Sequence, residues 1–153
     1  FGFIEGLGAT NVIPNEVRLK GTFRSLNETW RYDVHKKMKS IVEEICHKRG
    51  ASADLKIPVG YPSVYNDPDL TARMKSSAIA FLGEEKVHDL PVRMTAEDFS
   101  FYAREIPGCF YRIGTSSPTS DLGHRGLHTP HFDVDEDALK LGAGLMAYAA
   151  ATT

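Results

Sequence analysis

The chain has 153 residues, 42% of them hydrophobic and 25% charged, with a formal net charge of -2 at pH 7. That balance suits a folded globular chain with one sound core or two small ones, and it excludes a general attraction to phosphate backbones, so nucleic acid is not an expected partner. No stretch approaches the roughly 18 uninterrupted apolar residues of a membrane-spanning helix, and Phe1 opens neither an initiator nor a signal-peptide pattern, so the true N-terminus is expected upstream.

The apolar run Phe1 to Ile4 predicts a strand, and Glu16 to Arg24 alternates with Val17, Leu19, Gly21 and Phe23 on one face, predicting a second. Between them, Gly6, Gly8, Asn11, Pro14 and Asn15 mark a loop. Asn27 or Thr29 is placed to cap a long helix with Trp30, Val34, Met38, Ile41 and Ile45 as its buried stripe, ended by Lys48, Arg49 and Gly50. Residues 53 to 59 alternate again, and Pro58 confines that strand to an edge. The order ββαβ is what a βαββαβ sandwich shows without its first strand and helix.

Turn-rich residues 60 to 68 place a domain boundary there, giving domains 1–62 and 63–153. In the second, Asn66 or Asp67 caps a helix that starts at Pro68, buries Leu70, Met74, Ala78 and Phe81, and stops at Gly83. A short strand from Leu90 to Met94 follows. Thr95-Ala-Glu-Asp98 is a capping-box variant opening a helix through Arg104, and Cys109 to Ile113 is the next strand. Asp133-Val-Asp-Glu136 caps a last helix carrying Ala138, Leu141, Leu145 and Tyr148 inward. Glu97 and Asp98 need do no more than complement a helix start. The fold class is therefore mixed α/β.

The loop from Gly114 to His131 delivers His128 just ahead of that last helix, where a metal ligand would be placed. A catalytic divalent ion needs at least three protein ligands and an open position, and no HExxH, HxH or CxxC completes a set here. His124 and His131 share the loop, but outside a helix their spacings put nothing on one face. The simplest account is the C-terminal portion of a metallohydrolase whose other ligands lie upstream or on another chain. Cys46 and Cys109 fall in different elements without zinc spacing and are expected as reduced thiols, which leaves the compartment open, with cytoplasm favoured.

Four strings then carry a resemblance: Thr10-Asn-Val-Ile-Pro-Asn-Glu-Val-Arg-Leu-Lys-Gly-Thr-Phe-Arg24, Met94-Thr-Ala-Glu-Asp-Phe-Ser-Phe-Tyr102, Pro107-Gly-Cys-Phe-Tyr-Arg-Ile-Gly114 and Leu127-His-Thr-Pro-His-Phe-Asp-Val-Asp-Glu136. In that order they resemble the peptidase family M20 amidohydrolases, most of all the branch acting on N-acyl amino acids, hippurate and indole-acetyl amino acids. Thr95-Ala96 departs from the glycine-rich residues that many relatives have before Glu-Asp-Phe, which puts substrate preference in doubt.

The resemblance implies a ferredoxin-like lid that often mediates homodimerisation, here as ββαβ, and the C-terminal part of a zinc-exopeptidase-like α/β catalytic domain. It implies a paired site for divalent metal (Zn, Mn, Co or Ni), with its general-base Glu and all ligands but His128 upstream, so that this chain alone is expected metal-free and inactive. It makes Asn11 and Arg24 substrate-binding residues, Arg24 pairing with a substrate carboxylate and Asn11 donating nearby. An Arg fork suits bidentate carboxylate recognition where a Lys point charge does not. The implied partner is a small N-acyl amino acid or peptide, with no nucleic acid and no membrane. Taken from the residues without the resemblance, His128 and Arg24 equally suit solvated surface positions, and Asn11 suits a residue that merely stabilises a turn.

An alternative of another class is a non-catalytic dimerisation or small-ligand-binding module built on ββαβ. Upstream sequence holding the missing ligands favours the enzyme. A ferredoxin-like nucleic-acid binder needs exposed sheet aromatics and a basic surface, which the strand faces do not show clearly.

Overall fold

Glycines and prolines between residues 6 and 14 turn the chain back, and β1 (Phe3–Glu5) pairs antiparallel with β2 (Arg18–Lys20), Phe3 opposite Lys20, Ile4 opposite Leu19 and Glu5 opposite Arg18. This is a computed structural model, and it describes residues 1–152. The chain divides into two units, Phe1–Ser63 and Val64–Thr153. Helices and one small sheet make it a mixed α/β structure.

In the first unit the Gly2 amide extends the pairing to the Lys20 carbonyl (3.1 Å), and the Lys20 ammonium stands 4.9 Å over the Phe3 ring. Gly21 runs close to Phe1: a Cβ there would lie 2.9 Å from the Phe1 ring and 3.3 Å from its Cα. The long helix α1 (Glu28–Lys48) starts where the Asn27 side chain accepts the Trp30 amide, so Asn27 rather than Thr29 is the cap. Its first turn holds a buried ion pair between Glu28 and Arg31. Arg31 also donates to the Tyr61 carbonyl (3.0 Å), and Glu28 accepts the Ser63 amide (3.0 Å), so the pair straps the end of the unit to the helix start.

At the other end Gly50 lies at φ 69, the Ala51 amide returns to the Cys46 carbonyl and the Gly50 amide to His47, a complete Schellman closure. A Cβ on Gly50 would meet nothing within 4 Å, so Gly50→Ala changes only backbone strain. It is expected to lower the unfolding free energy by about 1 kcal/mol. The check is the denaturant midpoint of the variant, and an unchanged midpoint would sink the cap.

The predicted α1 stripe is displaced. Val34 and Met38 are half-buried, but Trp30, Ile41 and Ile45 are exposed, and the helix instead turns Arg31, His35, Val42 and Cys46 inward. Phe23 packs on Trp30 at 5.7 Å between ring centroids and on His35 at 6.0 Å from outside the helix.

Among the described residues the strands expected at 53–59, 90–94 and 109–113 form no ladder. Alternation does survive at Leu55 and Ile57, both half-buried, while Val59 is exposed. A period of two aims side chains, but a strand also needs another strand's amides and carbonyls beside it, and β1 and β2 pair only with each other.

In the second unit α2 (Pro68–Leu82) is capped by Asp67, which accepts the Leu70 amide at 2.8 Å, with Pro68 in its first turn and Gly83 at φ 94 as its stop. A 3-10 turn follows at Glu84–Lys86. Helix α3 spans Phe99–Glu105, but the expected capping box is not formed: Asp98 makes no side-chain cap, and Thr95 Oγ1 instead accepts from Arg112. Ser100 is fully buried and donates to the Glu97 carbonyl, which satisfies its hydroxyl.

The last helix, α4 (Asp137–Thr152), packs on α2, and Met74, Ala78, Leu145 and Ala149 form the core with Leu82, Val87, Cys109 and Tyr111 around it. Gly144 admits Phe81, whose ring tip would be 2.8 Å from a Cβ there and which packs on Tyr148 at 5.4 Å. Burial, and then the electrostatic effect of neighbouring Cys109, push the Tyr111 hydroxyl pKa up. Phe110 is held without a strand partner by Asn66, whose amide donates to the Phe110 carbonyl (2.9 Å) while its oxygen accepts the Phe110 amide (2.8 Å), and the Gly108 carbonyl accepts the Asp67 amide (2.9 Å).

Candidate functional site

Asn11 occupies the third position of a turn closed by the Val12 amide on the Ala9 carbonyl (3.1 Å), and its side chain is exposed. Arg24 lies past the end of β2, exposed, in the stretch that leads to the Asn27 cap. Arg18 and Lys20, the cations of β2, are engaged within the same unit. Glu16 hydrogen-bonds Arg18 and holds its guanidinium still more firmly protonated, and Lys20 sits on Phe3.

His128 belongs to a loop of the second unit that is closed at its base by side chains. The Asp133 carboxylate accepts the Gly123 amide through Oδ1 (2.8 Å) and pairs with Arg125 through Oδ2 (3.2 Å). Ser116 Oγ donates to the Gly123 carbonyl (2.8 Å), and two backbone bonds assist: the Ser117 amide donates to the Leu122 carbonyl (2.9 Å) and the Asp135 amide to the Thr115 carbonyl (2.9 Å). Asp135 also accepts the Asp137 amide (3.0 Å), so the start of α4 is capped by Asp135, and Asp133 is spent on the loop.

Gly123 lies at φ 74 with Thr115 pressed against it: a Cβ there would be 2.0 Å from the Thr115 carbonyl oxygen. Beyond that base the tip from Gly126 to His131 is exposed, tied by Thr129 Oγ1 to the Gly126 carbonyl (2.9 Å).

The three histidines of this loop differ. His124 Nε2 lies 2.8 Å from the Ser117 carbonyl, and because a carbonyl only accepts, that nitrogen carries a proton and donates. His128 and His131 are exposed. His128 is also the only non-glycine residue with positive φ (62) among the described residues. Histidine tolerates that region better than most side chains, but glycine would be less strained, and such outliers gather at functional sites.

Among the described residues no three His, Cys, Asp or Glu side chains come together to hold a metal ion. One exposed imidazole is a single donor, so the residues of this chain do not by themselves fit the divalent site that the resemblance implies. A shallow cavity of about 250 Å³ in the second unit is lined by Tyr65, Asp67, Arg104 and Ile106 among others, and contains none of the three predicted site residues. No helix among the described residues is long and apolar enough to cross a membrane. The positions missed from the sequence are Gly123, Arg125 and Asp133. The only available signal was a glycine in a loop that precedes an acidic cluster.

The model of peptidase family M20/M25/M40 matches residues 5–152. A probable hydrolase of Synechocystis sp. is 34% identical over 150 residues, covering 97% of this chain and 38% of that protein. Thermostable carboxypeptidase 1 of Saccharolobus solfataricus is 35% identical over 136 residues (87% of this chain, 33% of that protein), and IAA-amino acid hydrolase ILR1-like 6 of Arabidopsis thaliana is 32% identical over 148 residues (94% and 32%). The chain thus spans between 32% and 38% of the length of these relatives. No solved structure matches it. With the family model covering nearly every residue from β1 to α4, the chain belongs to peptidase family M20/M25/M40.

Proposed function

We propose that the whole protein hydrolyses the amide bond of an N-acyl amino acid or peptide beside a free carboxylate. The family match over residues 5–152 carries this assignment, and it is supported by relatives named as a carboxypeptidase and as an IAA-amino acid hydrolase. Arg24 pairs with the substrate carboxylate, Asn11 donates nearby, and His128 supplies one ligand of a divalent metal site whose remaining donors and general base lie outside this chain. Two ions of Zn, Mn, Co or Ni suit such a site. Residues 1–62 contribute to a ferredoxin-like lid, and residues 63–153 to the closing part of the catalytic domain. The exposed Ile4, Leu19, Trp30, Ile41 and Ile45 of the first unit suit a homodimer contact.

The test compares Arg24→Lys with the unchanged full-length protein on an N-acyl amino acid and on its carboxamide analogue. Lysine keeps the charge but loses the planar fork, so kcat/KM for the carboxylate substrate is expected to fall about tenfold more than for the carboxamide. Equal losses on both substrates would remove Arg24 from carboxylate recognition.

A further inference from the structure

We propose that Asp133 is a positioning residue for His128. The inference rests on the assignment of His128 to the site. Asp133 carries a carboxylate whose side chain is 23% exposed, and it spends both oxygens on the loop's base, one on the Gly123 amide at 2.8 Å and one on Arg125 at 3.2 Å. Those contacts join residues ten apart across the His128 tip, and no regular secondary structure crosses it.

The tip itself is held by little else. Thr129 Oγ1 bonds the Gly126 carbonyl and the Phe132 amide bonds the Thr129 carbonyl, both within the tip, so neither ties it to the body of the unit. The amides of Asp135 and Ser117 close the base further out, on Thr115 and Leu122. Ser116 Oγ on the Gly123 carbonyl and His124 Nε2 beside the Ser117 carbonyl hold only the first arm of the loop, so Asp133 is the side chain that joins the two arms from which the tip leaves the fold. A charged acceptor on a backbone amide is among the stronger hydrogen bonds available, and its strength bears here on the orientation of one imidazole. A side chain misplaced by about 1 Å can lower a rate by roughly a hundredfold.

The experiment uses the full-length protein and four variants: Asp133→Ala, Asp133→Asn, His128→Ala and Gly50→Ala. The last serves as a control of modest destabilisation outside the loop. Amide exchange across residues 115 to 132, the ring resonances of His128 and kcat/KM on an N-acyl amino acid are read together. Asp133→Ala is expected to speed exchange at Gly123, shift the His128 ring resonances and lower kcat/KM at least tenfold. Asp133→Asn, which keeps an acceptor for the Gly123 amide, is expected to recover much of both the exchange protection and the rate, while Gly50→Ala leaves the His128 resonances in place.

Unmoved His128 resonances in Asp133→Ala, or a rate loss no larger than in Gly50→Ala, overturn the positioning role. If instead His128→Ala keeps full kcat/KM while Asp133→Ala still frees the loop, the assignment of His128 is what has failed.

Discussion

Replacing His128 by alanine is expected to lower kcat/KM of the full-length protein by at least about a hundredfold and to reduce its metal content by one position, because a divalent ion commonly contributes several kcal/mol to amide hydrolysis. Stability is expected to change little, since the side chain is exposed and no hydrogen bond or ion pair to it is seen among the described residues. The backbone supplies a sharper control. His128 lies at φ 62, a region glycine enters without penalty, so His128→Gly removes the imidazole while relieving strain. That variant is expected to be as inactive as His128→Ala and to unfold at no lower temperature than the unchanged protein. Metal content is measured by atomic absorption, activity on an N-acyl amino acid and stability by thermal unfolding. Full activity with unchanged metal stoichiometry in both variants would return His128 to the status of a solvated loop residue.

The second large effect is at Gly123. An alanine there would sit in the left-handed region, costing about 1 to 2 kcal/mol, and its Cβ would press on the Thr115 carbonyl, adding about 1 to 3 kcal/mol of overpacking. The sum, about 3 kcal/mol, exceeds what the exposed loop can absorb without opening, because the obstacle is backbone rather than the end of a flexible side chain. Loss of the Gly123 contacts with Ser116 and Asp133 would follow. The expected result is a protein with its α2 and α4 core retained, fast amide exchange from residue 115 to 132, new proteolytic cleavage in that loop and activity reduced along with His128→Ala. Exchange and cleavage matching the unchanged protein would show that residues 115 and 116 yield more easily than their packing indicates.

The element ends were the most readable feature of this chain. Asn27, Gly50, Asp67 and Gly83 act as caps and stops where their residue types predict, because a cap is decided by atoms within about four residues of chain. The capping box at Thr95 shows the limit: Thr95 is drawn off by Arg112, seventeen residues away, which local spacing does not register. Family membership was also legible, through four separated strings whose order no single motif supplies.

What three dimensions added has one cause: contacts between distant residues have no period. The side-chain alternation at Leu55 and Ile57 was visible in one dimension, but whether 53–59 joins a ladder depends on a neighbouring backbone, and none is paired to it among the described residues. The face that α1 buries runs through Arg31, His35, Val42 and Cys46 as well as the expected Val34 and Met38, and the Phe110 backbone found its partner in the amide of Asn66. Asp133 looked like a helix cap because it stands in an acidic run before a helix. Folding gives the cap to Asp135 and turns Asp133 back to Gly123, since a carboxylate bonds whichever amide the closed loop brings within 3 Å.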